Sequence, residues 1–290
     1  MLKIVGTVPD DDFPLISGEA TLEDGLLTVR GRRISVNRGT PALLASAVVT
    51  AETLNRPAPF AHLVGDTGLG HGSRQLYSHL AENLGGFDFR TIIFHYLQPD
   101  VDWHNQVLFA AERVSPRPVL IADAGFMYAA KMSGQAGAYD LFTPDIGELA
   151  FLADEDAPHP FYARGFILHQ EERVLDMIQR AYKYGNAAAH LLVKGKQDYV
   201  ADQNGVQETL DGPVEEAMES MGGTGDTLSG IVSVLIDSGM NIRQACVVAA
   251  RTNRLAGRYA RPTPATQVAQ IIRHIPRALD EVLVKNKTIV

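Results

Sequence analysis

A glycine-rich segment that ends in an aspartate lies in the C-terminal third of the chain. Residues 222–226 read Gly-Gly-Thr-Gly-Asp, and apolar residues at helical spacing run over residues 224–238. Glycine lets the backbone approach a ligand closely, and a helix that begins there presents unpaired N–H groups and the positive end of its dipole. The segment therefore predicts a phosphate-binding turn. Its candidate contacts are Gly222, Gly223, Thr224 and Gly225.

Asp226 is the residue of this segment that can do chemistry. A carboxylate beside a bound anion repels it, so its presence needs a reason. One reason is general-base catalysis, in which Asp226 takes the proton from a hydroxyl that attacks a terminal phosphorus while the turn stabilises the phosphoryl group. The other is that Asp226 only caps the helix, because aspartate does this well. The spacing alone leaves both interpretations open.

Strand-like and helix-like patterns alternate through the middle of the chain. Apolar runs of strand length occupy residues 60–64, 91–95, 118–122 and 189–193. Helical patterns lie between them, at residues 73–84, 102–113, 126–132, 145–153 and 171–184. Alternation of this kind is typical of an α/β protein with a mainly parallel central sheet and helices on both faces.

The two ends of the chain depart from this alternation. Residues 1–40 are predicted to form a β-rich segment, in which a Glu-Asp-Gly turn joins strands at residues 18–22 and 26–30, and a helix starts at Pro41. Near the other end, a short β pair precedes three helical patterns. These lie at residues 198–201 and 205–210, and at 224–238, 242–260 and 266–284. Without a linker or a repeat, the sequence predicts a single domain over residues 1–290, with a surface loop at 153–164.

Composition narrows the classes of partner. The net charge of −8 over 290 residues argues against nucleic acid, whose binders usually carry a basic face. The single cysteine, Cys246, sits in an apolar helical run and is expected to be a buried core residue. The N-terminus lacks a long apolar segment, and no stretch approaches membrane-spanning length. We therefore expect a cytoplasmic protein with no membrane partner.

Several motifs resemble one superfamily. The segment at residues 222–231, Gly-Gly-Thr-Gly-Asp-Thr-Leu-Ser-Gly-Ile, resembles the anion-hole and base motif of the ribokinase-like superfamily, and its Leu-Ser-Gly-Ile part is most similar to the ADP/ATP-dependent NAD(P)H-hydrate dehydratases. Three upstream stretches follow the family's order. They are Val-Leu-Ile-Ala-Asp-Ala at 119–124, Phe-Thr-Pro-Asp-Ile-Gly-Glu-Leu at 142–149 and Leu-Leu-Val-Lys-Gly at 191–195. The resemblance implies a ribokinase-like three-layer sandwich that uses ATP or ADP and Mg²⁺.

Lys194 is the first of the residues to which the resemblance gives a role. It follows an apolar strand and so stands at a carboxyl end of the sheet, where ligands bind in open α/β folds. There it is expected to neutralise nucleotide phosphate charge; the alternative is a solvated lysine at a strand end. The resemblance places Gly195, Gly222 and Asn253 in the same nucleotide site.

Three acidic residues have expected roles on the metal and substrate side. The resemblance implies that Glu148 orders Mg²⁺, largely through water, whereas the alternative is a favourable acid in a first helical turn. Asp123, at another strand end, is expected to bind substrate hydroxyls or metal, or to serve only in a turn. Asp145 belongs with the substrate contacts.

The chain also departs from the dehydratase pattern. It has Asp-Ile-Gly-Glu at residues 145–148, where those dehydratases usually show His-Pro-Gly-Glu, and this spacing is nearer the Asn-x-x-Glu of ribokinase-like kinases. Residues 216–221, Glu-Ala-Met-Glu-Ser-Met, replace their Gly-Asn-Pro-Gly-Met segment. Residues 37–42 only echo their early Gly-Ser-x-x-Tyr-x-Gly-Ala motif. These departures fall on the substrate side.

A second glycine cluster occupies residues 65–73 between a strand and a helix. It has the context of another anion or substrate loop, although such clusters are often only tight turns. If it lines the substrate pocket, Gly65, Asp66 and Ser73 are the expected contacts. Asp66 and Asp123 would then lie on the acceptor side of Asp226, away from the nucleotide.

Three functions remain open from the sequence. The first is an ADP/ATP-dependent NAD(P)H-hydrate dehydratase, in which the resemblance implies phosphorylation of the extra ring hydroxyl followed by loss of phosphate. The second is a small-molecule kinase that acts on a sugar or a vitamin-precursor alcohol. The third is a ribokinase-like binding protein without turnover. Each binds a nucleotide and a small molecule, and a homo-oligomer is compatible with all three.

Overall fold

A single mixed sheet runs through the described part of the molecule. The computed structural model describes residues 1–86, 88–155, 173–263 and 265–287. Among these residues, six strands form a parallel centre: β1 (Leu2–Val8), β5 (Phe60–Gly65), β6 (Thr91–His95), β7 (Val119–Ala122), β8 (Leu141–Phe142) and β9 (His190–Val193). Antiparallel strands extend both sides: β2 (Ile16–Glu23), β3 (Leu26–Val29), β4 (Arg32–Ser35), β10 (Asp198–Asp202) and β11 (Gly205–Leu210). The strand order is β11-β10-β9-β8-β7-β6-β1-β5-β2-β3-β4.

Helices cover both faces of the sheet. On one face lie α1 (Thr40–Thr53), α7 (Thr224–Asp237), α8 (Ile242–Ala260), α9 (Val268–Ile272) and α10 (Ile275–Lys287). On the other lie α2 (His71–Asn83), α3 (Val101–Glu112), α4 (Ala124–Met132), α5 (Ile146–Ala153) and α6 (Val174–Lys183). Consecutive residues of a strand point to opposite faces, so Ile4 and Val5 of the central strand enter different hydrophobic cores. The predicted α/β fold, a largely parallel sheet between two helical layers, is confirmed.

The observed elements follow the predicted ones closely in the middle of the chain. The four predicted parallel strands correspond to β5, β6, β7 and β9, each within one residue at either end. The segment predicted as a hairpin in the N-terminal region forms β2 and β3. The predicted helix at 171–184 is described from Val174 onward, and its first two residues lie outside the described ranges. Most of the predicted loop at 153–164 also lies outside them.

Two expectations from the sequence need correction. The helix expected over 266–284 is two helices, α9 and α10, because Pro276 cannot donate a backbone N–H and fits only the first turn of a new helix. The loop expected to start at residue 153 starts later, since Ala153 is the last residue of α5. None of the helices in the described ranges is both long and apolar enough to cross a membrane.

Candidate active site at the carboxyl edge of the sheet

Parallel strands bring the sequence-predicted residues to one edge of the sheet. His95 ends β6, Asp123 directly follows β7, and Lys194 directly follows β9. Asp145 comes three residues after β8 and pairs with Lys194 as a parallel bridge. Because the carboxyl ends of parallel strands meet at one edge, residues far apart in sequence become neighbours there.

The glycine-rich turn leads into the N-terminus of α7 as the sequence predicts. Gly223 is the N-cap residue with φ 98°, a left-handed conformation that favours glycine. A Cβ atom on Gly223 would also lie 3.2 Å from the Cα atom of Arg38 and from the carbonyl oxygen of Asn37. The Asn253 amide donates to the carbonyl oxygen of Thr224, at 3.0 Å, and so fixes the first turn. The free N–H groups of this helix end therefore face a closely defined point.

Asp226 lies in the first turn of α7, and both oxygens of its carboxylate are held. The backbone N–H of Gly39 donates to Oδ2, at 2.6 Å, and His95 Nε2 lies 3.1 Å from Oδ1. Asp226 is only 9% exposed. Burial on its own raises the pKa of this carboxyl, but the hydrogen bond and charge of His95, with help from Lys194, outweigh it and lower the pKa. Asp226 is therefore an ionised, fixed carboxylate.

Lys194 is held by Asp123 beside the phosphate turn. Its Nζ atom lies 3.0 Å and 2.9 Å from the two carboxylate oxygens of Asp123. The hydroxyl of Ser229 donates to Asp123 Oδ2 at 2.6 Å, and His95 Nε2 lies 3.8 Å from the same oxygen. Burial opposes the charge on Lys194, but the surrounding carboxylates, Asp123 first among them, outweigh it and raise its pKa. The methylene groups of Lys194 lie against Gly225, so a fixed positive charge stands next to the turn.

Two residues at this edge have backbone conformations that are uncommon outside glycine. Tyr96 has φ 53° and Ala124 has φ 51°, and they directly follow His95 and Asp123 in the chain. Such conformations cost about 1–3 kcal/mol each and persist where the surrounding structure enforces them, often at functional sites. The strain thus falls at the two strand ends that supply His95 and Asp123.

Asp145 and Glu148 form a capping box at the start of α5. Asp145 accepts a hydrogen bond from the N–H of Glu148, at 2.7 Å, and Glu148 accepts one from the N–H of Asp145, at 2.8 Å. Burial raises the pKa of Glu148 well above its ordinary value, and the negative charges of Asp145 and Asp123 add to the effect. A cation near these carboxylates would relieve that repulsion, so the first-turn role and a metal role are compatible.

These residues line one cavity of about 530 Å³. Its carboxylates, within the described ranges, are Asp123, Asp145, Glu148, Asp198, Glu215, Glu219 and Asp226. Its cations are Lys194, Lys196 and Arg254. The volume suits a nucleotide or a small cofactor. The excess of negative charge would repel a polyphosphate that carries no bound cation.

Most of the predicted site residues share this cavity. Its wall includes Asp123, Asp145, Glu148, Lys194, Gly195, Gly223, Thr224, Gly225, Asp226 and Asn253. Gly222 is not part of the wall, although its chain neighbours Met221 and Gly223 are, and a Cβ atom on Gly222 would lie 3.4 Å from Arg38 Cδ. The roles assigned to these residues stay predictions, while their convergence is an observation.

The second glycine cluster does not join them. The Asp66 carboxylate accepts bonds of 2.9 Å and 3.0 Å from the N–H groups of Gly68 and Gly70. The N–H and hydroxyl groups of Ser73 donate to it as well, at 2.8 Å and 2.7 Å. Gly65 ends β5, which is separated from β6 by β1. Asp66 therefore builds its own loop at the same edge but outside the cavity, and substrate contact by this loop stays a prediction.

The sequence does not predict two hydrogen-bond partners of Asp226, His95 and Gly39. His95 follows an apolar strand, the same signal that identifies Asp123 and Lys194, but a single histidine without metal-ligand spacing gives no further sign. Gly39 acts through its backbone N–H, which no side-chain pattern reveals. The contact between Asp226 and Gly39 joins residues 187 positions apart.

His95, Asp123 and Asp226 also offer donor atoms close enough to hold a metal ion. One atom from each lies within 4.8 Å of the other two. In the described structure, however, Lys194 and Ser229 already donate to Asp123, and His95 Nε2 lies at hydrogen-bond distance from Asp226 Oδ1. Hydrogen bonds can therefore satisfy the polar atoms of these three side chains.

The fold is that of solved ribokinase-like α/β proteins. A ribokinase-like superfamily protein of Enterococcus faecalis superposes with a TM-score of 0.55 at 14% identity, covering 97% of this chain and 87% of that one. The ADP/ATP-dependent NAD(P)H-hydrate dehydratase of Bacillus subtilis, co-crystallised with ATP and Mg²⁺, superposes with a TM-score of 0.59 at 13% identity, covering 97% and 89%.

A family model narrows this class. The model described as NAD(P)H-hydrate dehydratase matches residues 98–277, more than half of the chain, and the chain belongs to this carbohydrate-kinase-related family. An uncharacterized protein of Methanocaldococcus jannaschii is 40% identical over 220 residues, which cover 76% of this chain and 90% of that protein. Hydroxyethylthiazole kinase 1 of Leuconostoc mesenteroides is 32% identical over 149 residues, about half of each chain. The family model is described as a dehydratase, and one of these relatives is a kinase.

Proposed function

We propose that this protein transfers a phosphoryl group from ATP or ADP to a hydroxyl of a small molecule, with Asp226 as the base. One observation carries the proposal. A buried carboxylate, whose two oxygens are each held at 2.6–3.1 Å, stands in the first turn of α7 beside the free N–H groups of the helix end. A helix cap needs no such support from a distant histidine and a distant amide.

Each element of the site then has a task in the transfer. The oxygen of the substrate hydroxyl bonds to the terminal phosphorus, and Asp226 accepts the proton of that hydroxyl. The bond between this phosphorus and the nucleotide oxygen breaks, and the oxygen leaves with the bonding electrons. The N–H groups at the start of α7 and the ammonium of Lys194 stabilise the negative charge on the transferred group. Gly195 and Asn253 shape the nucleotide side of the cavity. Arg254 holds that side in place, because it bonds to the carbonyl oxygens of Gly195 and Lys196 at 2.9 Å each.

The acidic cavity fits magnesium. Glu148 and Asp145 would hold the ion, mostly through water, since Mg²⁺ keeps several waters and takes few protein carboxylates. When bound, it neutralises nucleotide charge. Asp123, Asp145 and Glu148 line the same cavity, and burial together with the two neighbouring negative charges raises the pKa of Glu148, so a cation there would relieve their repulsion.

Within this class we favour an NAD(P)H-hydrate dehydratase. In that reaction the phosphorylated ring carbon loses phosphate with the C–O bonding electrons, the neighbouring carbon loses a proton, and a ring double bond forms. The family match over residues 98–277 and the Leu-Ser-Gly-Ile sequence after Asp226 support this choice.

A small-molecule kinase is the second candidate. The Asp-x-x-Glu arrangement of Asp145 and Glu148 is kinase-like, and it forms a complete capping box at the cavity. The similarity to a hydroxyethylthiazole kinase points to a heteroaromatic alcohol as acceptor in that case. The third hypothesis, a binding protein without turnover, has the intact cluster of Asp226, Lys194 and Glu148 against it.

One experiment separates the candidates. Purified protein is mixed with hydrated NADH, Mg²⁺ and either ATP or ADP, and the return of NADH absorbance is recorded. A parallel reaction contains hydroxyethylthiazole and ATP, with ADP release as the readout. The Asp226→Asn variant should lose at least about 100-fold in whichever activity is found. Turnover at the wild-type rate in this variant would reduce Asp226 to a helix cap and refute the proposal.

A further inference from the structure

His95 lies directly behind Asp226 and is fully buried. Its Nε2 atom is 3.1 Å from Asp226 Oδ1, and its Nδ1 atom is 3.0 Å from the hydroxyl oxygen of Thr40. It does not belong to the cavity wall, which Asp226 itself forms at this point. His95 therefore cannot touch a ligand in the cavity, but it touches the group proposed to act on that ligand.

The ionised Asp226 carboxylate determines which nitrogen of His95 must carry a proton. An ionised carboxylate can only accept, so the 3.1 Å contact requires a proton on His95 Nε2. In a neutral imidazole the other nitrogen is then an acceptor, and the hydroxyl of Thr40 donates to Nδ1; in an imidazolium, Nδ1–H donates to that hydroxyl. In either form, hydrogen bonds link Thr40 to His95 and His95 to Asp226.

The second oxygen of Asp226 is held from the same place. Gly39, whose N–H donates to Oδ2, directly precedes Thr40 at the start of α1. The N-terminus of α1 therefore holds Asp226 in two ways, directly through the Gly39 amide and indirectly through Thr40, which bonds to His95. Two bonds to different oxygens fix both the position and the rotation of the carboxylate.

The surrounding backbone keeps Thr40 and His95 together. A Cβ atom on Gly6, in the central strand β1, would lie 2.4 Å from Thr40 Oγ1 and 2.6 Å from the carbonyl oxygen of His95. Glycine is otherwise a poor residue for a buried strand, because it adds no side-chain packing and weakens the strand. Because Gly6 has no side chain, the strand leaves room for the hydrogen bond between the Thr40 hydroxyl and the His95 imidazole.

We propose that His95, oriented by Thr40, is a positioning residue that aims the Asp226 carboxylate at the hydroxyl acceptor. This inference rests on the proposed function of Asp226 as the base. Misplacing a reacting group by a small distance can cost about 100-fold in rate. The effect should appear in kcat, since His95 does not line the cavity and acts on it only through Asp226.

The kinetic test compares replacements that keep or remove the donor. In His95→Gln the side-chain amide can still donate to Asp226, whereas in His95→Leu nothing can. We expect His95→Leu to lose about 10- to 100-fold in kcat with the nucleotide KM within about twofold of wild type. His95→Gln should recover most of the loss, and Thr40→Val should lose more than Thr40→Ser. His104→Gln is the control for a buried histidine elsewhere, since His104 bonds to Tyr139 in the other core.

Failure of this inference is distinguishable from failure of the proposed function. Wild-type kcat in His95→Leu, together with a large loss in Asp226→Asn, would overturn the positioning role and leave the base in place. Wild-type turnover in Asp226→Asn would overturn the base. Equal losses in His95→Leu and His95→Gln would also overturn the positioning role, because the retained donor would then have no effect.

A second measurement needs no substrate. The ¹⁵N chemical shifts of the histidine rings identify which nitrogen of His95 carries the proton, with His95→Gln to assign the signals. A proton on Nε2 supports donation to Asp226, whether or not Nδ1 also carries one; a proton on Nδ1 alone overturns it. The metal content of purified protein is measured in parallel. A stoichiometric metal ion that is lost in His95→Gln would make His95 a ligand and overturn its role as a donor.

Discussion

Asp226 combines two opposing influences on one carboxyl group. Burial favours the neutral acid, while His95, Lys194 and the N–H of Gly39 favour the carboxylate and lower the pKa overall. A weaker base is a disadvantage for proton removal. In exchange, the carboxylate is ionised and held in one orientation whenever a substrate arrives.

The lowered pKa predicts how stability depends on pH. The folded protein binds a proton at Asp226 less readily than the unfolded chain, so this group stabilises the fold above the ordinary aspartate pKa of about 3.9. That contribution is lost as the pH falls through the lower folded value. Urea unfolding of wild type and Asp226→Asn should therefore show a difference in free energy of unfolding that shrinks from about pH 5 to about pH 3. A difference that stays constant over this range would contradict the assigned ionisation.

Asp123 has a contact in the structure that its sequence position does not predict. The sequence places it on the acceptor side, where its loss would spare nucleotide affinity, and this stays a prediction. In the structure its carboxylate holds Lys194 beside the phosphate turn, and its side chain is only 2% exposed. Removing one partner of a buried ion pair leaves the other charge uncompensated, which is costly.

We therefore predict that Asp123→Asn weakens ATP binding. A loss of about tenfold corresponds to about 1.4 kcal/mol, within the range for a hydrogen bond to a charged group. Calorimetric titration with ATP and Mg²⁺ measures it, and thermal denaturation of the variant shows whether it is folded. Asp66→Asn is the matched control, since Asp66 bonds within its own loop outside the cavity. Undiminished ATP affinity in folded Asp123→Asn would return Asp123 to the acceptor side.

At the scale of elements, the contact between α1 and α7 decides where the base stands. Gly230, one turn after Asp226, permits a close approach: a Cβ atom there would lie 2.1 Å from Ser46 Oγ and 2.2 Å from the carbonyl oxygen of Leu43. Ser46 also donates to the carbonyl oxygen of Thr227, at 3.1 Å. Helix α1, whose N-cap residue is Gly39, and helix α7, which carries Asp226, are thus packed with almost no space between them.

We predict that Gly230→Ala is destabilising although alanine is the better helix former. Its methyl group would meet backbone and force α1 and α7 apart, and overpacking of this kind costs about 1–3 kcal/mol. Urea unfolding should show the loss in free energy of unfolding. Gly137→Ala is the control, because a Cβ atom at Gly137 meets nothing within 4 Å. Equal stability of Gly230→Ala and wild type would mean that the helices can separate freely.

The elements that the sequence predicts well are those with a strong local pattern. The parallel strands are apolar runs of fixed length, and the start of α7 is marked by glycines, so both follow from neighbouring residues. The break between α9 and α10 was missed, although Pro276 signals it, because the apolar spacing continues across residues 273–274. Local spacing cannot show that the chain turns between two compatible helical patterns.

For the site, the same difference between local and distant information applies. Asp226, Lys194 and Glu148 stand in motifs that extend over a few residues, and the structure brings them to one cavity. The bonds from Gly39 and His95 to Asp226 depend on the strand order and on how α1 packs, which no short segment encodes. The loop at residues 65–73 shows the converse case, since its glycines and Asp66 satisfy one another.

At the scale of the whole molecule, the charge distribution sets the conditions for binding. The chain has a net charge of −8, and the cavity contains more carboxylates than cations within the described ranges. Free ATP carries several negative charges and would enter against this field, whereas a magnesium complex of ATP carries fewer.

We predict that ATP stabilises the protein only together with Mg²⁺. A ligand at about 100 times its dissociation constant adds about 2.7 kcal/mol to the free energy of unfolding, a rise in melting temperature that is readily measured for a chain of this size. The shift with ATP and Mg²⁺ should vanish when EDTA is added at matched ionic strength, and Mg²⁺ without nucleotide should give a small shift at most. In Glu148→Gln the Mg²⁺ concentration for half of the full shift should rise, because one of the carboxylates proposed to hold the ion is gone. The same stabilisation by ATP in EDTA would show that Lys194, Lys196 and Arg254 neutralise the phosphates on their own. The proposed magnesium site at Asp145 and Glu148 would then be wrong.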